Sequence, residues 1–152
     1  MYSLSTYLNS LFVILSFAFC IICCGCSSGP VADETQGDSF NQLSTIQQCY
    51  FEYSRANGKP PESKEDLAKL LEKNGQDVST VFVSKRNNQE FVIIWNTPPK
   101  EDGPLQVIGY ESTSIDNQRM VMTSMGTMTM SDEDFDSANF PPGHLPPASS
   151  QQ

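Results

Sequence analysis

The chain has 152 residues, and 18 Asp and Glu against nine Lys and Arg give it a formal net charge of -9 at pH 7. An acidic surface of this kind repels phosphate backbones and anionic lipid headgroups, so nucleic-acid binding and attachment to a membrane through basic residues are both disfavoured. No charged side chain precedes Asp33. Without the apolar N-terminus and a Pro-rich C-terminus, roughly 100 residues remain for one small domain.

An apolar stretch near the N-terminus, from Leu11 to Cys24, reads LFVILSFAFCIICC and has the length of the central region of an export signal. It is shorter than the roughly 20 apolar residues that a membrane-spanning helix needs. Gly25-Cys26 follows, and this passage resembles the lipobox of bacterial lipoproteins, in which a small residue precedes the acylated Cys. The resemblance implies that residues 1–25 are a signal peptide and that Cys26 carries the lipid. The alternative is an uncleaved membrane helix over roughly Leu4 to Cys26, which would also export the domain.

The same resemblance implies a location in the cell envelope, where the lipid attaches the chain to a membrane. Ser27 follows the acylated Cys, and this implies delivery to the outer membrane, facing the periplasm. Residues 26–39 are mostly small, polar and acidic, so we expect a lipidated, flexible tether. Residues 139–152 include FPPGHLPPASSQQ, which is typical of a disordered Pro-rich tail whose start can be anchored by Phe140.

Two helices are predicted after the tether. Apolar residues at three- and four-residue spacing predict an amphipathic helix that starts near Asp38 or Ser39 and ends near Asn57-Gly58. Its inward face contains Phe40, Leu43, Ile46, Cys49, Tyr50 and Tyr53, and the residues off that face are Gln42, Gln47, Gln48 and Glu52. Ser63 and Asp66 have the spacing of a capping box for a second, shorter helix through Lys73.

Strand patterns begin at residue 79. The runs STVFVSK and EFVIIWN, separated by residues 86–89, predict a hairpin. A third strand is predicted from Leu105 to Glu111, and the Met-rich stretch beyond Gln118 supplies a fourth and a fifth. We therefore expect an α+β domain over residues 40–138, in which a long and then a short N-terminal helix pack on a small antiparallel β-sheet of four to five strands.

This order of a helix followed by an antiparallel sheet resembles the soluble domain of pseudopilins of the type II secretion type. The resemblance covers roughly Phe40 to Phe135, and three passages carry it: Tyr50-Phe51-Glu52-Tyr53, Asn57-Gly58-Lys59-Pro60-Pro61 and Asp66-Leu67. The chain lacks the Gly-Phe-Thr-Leu-x-Glu start of that family and has the lipobox-like site in its place. The resemblance therefore implies a shared fold rather than assembly into a pilus.

Few side chains suggest catalysis, and we expect neither an enzyme nor a cofactor. His144 is the only histidine, and it lies in the Pro-rich tail without a neighbouring thiol. Cys49 stands apart from the other four cysteines and is interpreted as a small buried apolar residue. The acidic run at residues 132–136 lacks the ligand spacing of a Ca²⁺-binding loop, so it is interpreted as the first turn of a short helix capped by Ser131.

Methionine is unusually concentrated, because five of the six lie between residues 120 and 130. A three-residue loop of Ser124, Met125 and Gly126, with Gly126 in the left-handed conformation, would place Met122 opposite Met128 and Met120 opposite Met130. All four strand methionines would then share one face. Thioethers suit Cu(I), which predicts a site for Cu(I) or Ag(I) at Met120, Met122, Met125, Met128 and Met130. The alternative is that this face is the core side of the sheet.

Two functional hypotheses follow. The first is a lipid-anchored, non-catalytic envelope protein that acts as an interaction or accessory module for a protein partner, for example in a secretion-type assembly. The second is a soft-metal binding protein that uses the Met-rich hairpin. Exposure or burial of the Met face in the folded domain distinguishes the two hypotheses.

Overall fold

A computed structural model describes residues 34–99 and 104–147 of the chain. The predicted signal peptide, Cys26 and the first part of the tether lie outside the described residues. Within the two described ranges, no helix combines the length and the apolar character that crossing a membrane would require.

The described residues form the predicted α+β fold. In chain order its elements are α1 (Glu34–Asn57), α2 (Lys64–Lys73), α3 (Val78–Val81), β1 (Phe91–Ile93), β2 (Val107–Glu111), β3 (Gln118–Thr123), β4 (Thr127–Ser131) and α4 (Asp132–Asp136). The strands form one sheet in the order β1-β2-β3-β4, and each strand is antiparallel to the next one along the chain. This order needs no crossover connection, so short loops are sufficient to join the strands.

One face of the sheet packs against α1 and α2. The amphipathic pattern of α1 is confirmed for most of its predicted inward face, although Phe40 is 38% exposed. The capping box of α2 is also confirmed, because the Asp66 carboxylate accepts the Ser63 N–H at 3.2 Å. The cluster on this face contains, among others, Leu43, Ile46, Cys49, Tyr50, Leu67, Leu71, Ile93, Met120 and Met122.

The opposite face of the sheet is covered by α4 and by residues 139–144, which we call the C-terminal strap. The strap begins with a backbone contact, since the Asn139 carbonyl accepts the Val107 N–H at 2.9 Å. Phe140 then packs edge-on against the Phe135 and Tyr110 rings, with centroid distances of 5.2 and 6.1 Å. The predicted anchoring by Phe140 is therefore confirmed. The prediction of a disordered tail is wrong for the rest of the strap, because its contacts bury surface that offsets the entropy of ordering it.

The first helix begins earlier than predicted, at Glu34 rather than near Asp38 or Ser39. Ser39 is fully buried, and its hydroxyl accepts the Arg86 N–H at 2.8 Å and lies 3.0 Å from the Ser84 hydroxyl. Asp38 forms an ion pair with Lys85 at 3.0 Å. The flexible-tether prediction is thus wrong for residues 34–39, because contacts with residues 84–86 stabilise turns that the local sequence does not favour.

The glutamines of α1 are also placed differently from the prediction, since Gln47 is only 8% exposed. Its amide nitrogen donates to the Thr123 carbonyl at 2.8 Å, and its amide oxygen accepts the Thr127 hydroxyl at 3.1 Å. Gln42 donates to the Val83 carbonyl at 3.0 Å. Both side chains therefore connect α1 to neighbouring segments instead of lying off the packed face.

The predicted strand over residues 79–85 is replaced in its first half by the short helix α3. The Asp77 carboxylate caps this helix by accepting the Ser79 N–H at 2.9 Å. Val83 keeps a single bridge to Glu90, and the turn between them closes through the Ser84 N–H and the Gln89 carbonyl at 2.8 Å. The described sheet therefore has four strands, because a local cap outweighs the β-branched composition of this run.

Candidate functional site

The Met-rich hairpin is present, but its register differs from the prediction by one residue. Met120 pairs with Thr129, and Met122 pairs with Thr127. The turn is closed by Thr123, whose hydroxyl accepts the N–H groups of Met125 and Gly126 at 3.2 Å each. Gly126 does not adopt the left-handed conformation. A side-chain hydroxyl therefore sets the turn geometry, which the prediction had assigned to a glycine.

This register divides the methionines between the two faces of the sheet, since neighbouring strand residues point to opposite sides. Met120 and Met122 are fully buried beneath the helices. Met128 and Met130 are half-buried against the cluster on the other face, and Met125 at the turn is 75% exposed. The predicted common face is wrong, and the structure does not bring the sulfur atoms of the predicted soft-metal site together.

Two other sequence predictions are confirmed as structural features. Cys49 is buried, its sulfur accepts the Asn74 amide N–H at 3.4 Å, and burial raises the pKa of its thiol. It therefore stays protonated and unreactive at neutral pH. The acidic run forms α4, where the Ser131 hydroxyl accepts the Asp134 N–H at 3.1 Å as the N-terminal cap.

A buried ion pair joins Arg86 to Glu111 at 3.1 Å, and both side chains are less than a tenth exposed. The Glu111 carboxylate also accepts the Ser84 hydroxyl at 2.7 Å and the Met120 N–H at 3.1 Å. The Arg86 guanidinium donates in addition to the Ile115 carbonyl at 2.9 Å. These contacts lie inside the domain and connect the turn at residues 84–89 to β2 and β3. The ion pair therefore has a structural role and is not a binding site.

Unlike the buried ion pair, a groove between the segment after β1 and the C-terminal strap is open to the surface. Its first wall is the segment after β1, which Tyr50 of α1 holds in place: the phenol accepts the Thr97 N–H at 3.0 Å and donates to the Thr97 carbonyl at 2.9 Å. Trp95 stacks on the Tyr50 ring with a centroid distance of 6.4 Å. Asn96 has a φ of 55°, and its N–H donates to the Pro61 carbonyl at 2.8 Å. Contacts from α1 and from the α1–α2 connection therefore make this wall rigid.

The second wall of the groove is the C-terminal strap. Gly143 has a φ of 84°, and the His144 N–H donates to the Pro141 carbonyl at 3.1 Å, so the strap ends in a tight turn. The His144 ring stacks on Phe140 at 5.7 Å, and its Nε2 lies 3.1 Å from the Tyr110 hydroxyl. Burial lowers the pKa of the His144 imidazole, which therefore stays neutral at physiological pH.

The groove between these walls has a volume of about 550 Å³. Its apolar lining consists of Ile94, Trp95, Pro98, Pro141 and Pro142, and its polar lining includes Asn96, Thr97, Gln106 and His144. None of these lining side chains is Asp, Glu, Lys or Arg. In a chain with a net charge of -9, the lining formed by the described residues carries no formal charge.

Gln106 is one of the lining residues, and its side chain has a buried oxygen atom. The residue is 2% exposed, and its Oε1 has no hydrogen-bond partner among the described residues. Two other buried atoms share that property, Arg119 Nε and Asp132 Oδ1, but their side chains face each other as an ion pair at 3.7 Å. An unpaired buried acceptor costs about 1–3 kcal/mol. Because this oxygen is covered, it is not part of the groove surface.

Comparisons with protein-family models, with curated proteins and with solved structures give no match to this chain. The resemblances to lipoproteins and to pseudopilins therefore stay predictions, and the groove geometry is the basis for inferring a function.

The groove was not predicted from the sequence, although its parts leave visible signals there. The only tryptophan, Trp95, is followed closely by Pro98-Pro99, and a second proline pair, Pro141-Pro142, precedes the only histidine. Proline and aromatic residues together are common in peptide-binding grooves. The signal is incomplete because only the folded chain brings Pro98 and the Pro141-Pro142 pair to one groove.

Proposed function

We propose that this chain is a lipid-anchored, non-catalytic protein of the cell envelope that binds a partner through the groove beside the C-terminal strap. The anchor part of the proposal rests on the apolar segment up to Cys24 and on Gly25-Cys26, which resemble a lipoprotein signal. It places the folded domain in the periplasm, held at the outer membrane by the lipid on Cys26.

One observation carries the binding part of the proposal. The groove combines an apolar lining with the polar residues Asn96, Thr97 and His144, and small binding sites typically combine apolar walls with a few polar groups that orient the ligand. Soft-metal binding is not proposed, because the predicted ligands are divided between two faces of the sheet.

The anchor is tested by Cys26→Ala in cells fed a palmitate analogue. We expect the variant to lose the label and either to leave the membrane or to accumulate as an uncleaved precursor. Cys49→Ala is the matched control, and it keeps the label because Cys49 is buried in the domain. Persistent labelling of Cys26→Ala would contradict the assignment of the lipid site.

The groove is tested by pull-down of the full chain from detergent-solubilised membranes. Pro142→Arg places a charge in the groove at an exposed position, and Gln48→Arg adds the same charge on the exposed surface of α1. We expect the wild type and Gln48→Arg to retain the same partner and Pro142→Arg to lose it. Equal retention by both variants would rule out the groove as the binding surface.

A further inference from the structure

We propose that Met125, at the turn of the Met-rich hairpin, is a site at which a peroxide oxidises the thioether to a sulfoxide while the domain stays folded. The proposal is independent of the groove and of the lipid anchor. Two observations carry it. The five methionines of the hairpin differ widely in burial, and the hydrogen bonds that close the β3–β4 turn use the backbone of Met125 rather than its side chain.

Burial separates the five methionines into three groups. Met125 is 75% exposed, whereas Met120 and Met122 are fully buried beneath the helices. Met128 and Met130 lie between these extremes, half-buried against the cluster on the other face of the sheet. A small oxidant in solution therefore reaches the Met125 side chain directly. It reaches Met120 and Met122 only when the domain opens.

The oxidation needs no catalytic group from the protein. The thioether sulfur donates a lone pair to one oxygen of hydrogen peroxide, so a sulfur–oxygen bond forms as the oxygen–oxygen bond breaks. The sulfur is oxidised by two electrons and the peroxide is reduced. The proton on the transferred oxygen passes to the departing hydroxide, which leaves as water. Because a thioether has no proton to lose, the step requires no change in ionisation.

Among the described residues, Cys49 holds the sulfur atom outside the hairpin, and it is a poorer target. Thiols react with oxidants as thiolates. Cys49 is buried, and burial raises the pKa of its thiol, so the thiolate is scarce at neutral pH. Peroxide should therefore oxidise Met125 before Cys49.

The turn tolerates a sulfoxide on Met125 because other groups hold its shape. The Thr123 hydroxyl accepts the N–H groups of Met125 and Gly126 at 3.2 Å each, and the Thr123 N–H donates to the Gly126 carbonyl at 2.9 Å. Oxidation adds a polar oxygen to the side chain, and at an exposed position water hydrates that oxygen. The same oxygen on Met128 or Met130 would lie against an apolar cluster, which is unfavourable.

The experiment treats the detergent-solubilised full chain with hydrogen peroxide and follows each methionine by mass spectrometry. Trypsin cleavage after Arg119 releases residues 120–152 with all five methionines, and fragment ions assign each sulfoxide. We expect Met125 to be oxidised at least about tenfold faster than Met120 or Met122, because a fully buried side chain reacts only through opening of the domain. In concentrated urea, all five should react at similar rates.

Met125→Leu removes the proposed site at nearly constant volume, and Met128→Leu is its matched control within the same hairpin. We expect Met125→Leu to lose the fastest oxidation and Met128→Leu to keep it. The chain oxidised at Met125 alone should unfold at the same urea midpoint as the untreated chain. Methionine sulfoxide reductases should restore its original mass.

Faster oxidation of Met128 or Met130 than of Met125 would overturn the assignment of the site. If the same order of rates persisted in concentrated urea, the local sequence rather than the fold would select the methionine, and the proposal would be overturned as well. A lower urea midpoint for the chain oxidised at Met125 alone would show that the fold does not tolerate the sulfoxide there.

Discussion

Gln47 provides a sharp test of how α1 is joined to the sheet. Its amide donates to the Thr123 carbonyl at 2.8 Å and accepts the Thr127 hydroxyl at 3.1 Å, and it is buried over the β3–β4 turn. Gln47→Ala removes both bonds and leaves the Thr123 carbonyl without this donor. Since an unpaired buried group costs about 1–3 kcal/mol, we expect the free energy of unfolding to fall by about 2 kcal/mol.

Urea denaturation followed by circular dichroism measures this loss. With a slope of about 2 kcal/mol per M, the midpoint should fall by about 1 M without a change in slope. The control is Gln48→Ala, one residue further along α1 and exposed, which should change stability by less than about 0.5 kcal/mol. Equal midpoints for the two variants would show that the amide of Gln47 does not join the helix to the turn, and the β3–β4 register would then have to be reconsidered.

Three further predictions concern the core, the buried ion pair and the strap. Met122 and Met128 lie on opposite faces of the sheet. In denaturation experiments, Met122→Leu and Met128→Leu should each lower the free energy of unfolding by less than about 1.5 kcal/mol, and their effects should add. Competition with a chelator should show no change in Cu(I) affinity. Arg86→Met should cost about 3–5 kcal/mol because Glu111 stays buried without its partner, and Glu111→Gln in the same chain should restore part of the loss. The imidazole of His144 has a lowered pKa in the folded domain. The unfolded chain therefore binds a proton there at a higher pH than the folded domain does, and the domain should lose stability as the pH falls below 6.5. Urea titrations at pH 5 and pH 7 should show that His144→Phe removes this part of the pH dependence.

The helices were the most predictable part of the fold. The spacing of Leu43, Ile46 and Tyr50 identifies the buried face of α1, and Ser63 with Asp66 identifies the start of α2, because both signals arise from neighbours within one or two turns. The start of α1 was not predictable. It depends on Ser39 and its contacts with Ser84 and Arg86, which lie far away in the chain.

The register of the β3–β4 hairpin was harder to predict than the helices, because alternative registers of a hairpin differ by single residues. The composition of residues 118–131 predicts two strands, and they are present as β3 and β4. Their pairing depends on the turn, where the Thr123 hydroxyl accepts two backbone N–H groups. Since one residue of shift reverses the face of each side chain on a strand, this local detail decides that the methionines do not form a common site.

The sequence by itself determined the α+β class, the helix faces and the export signal that we predict, because each depends on composition or on periodicity within a short segment. The tertiary structure alone decided the candidate site. Trp95 and the strap come from distant parts of the chain, and Gln106, immediately before β2, lines the same groove. Local patterns carry no information on which distant segments meet, and the groove forms only where these segments meet in the folded chain.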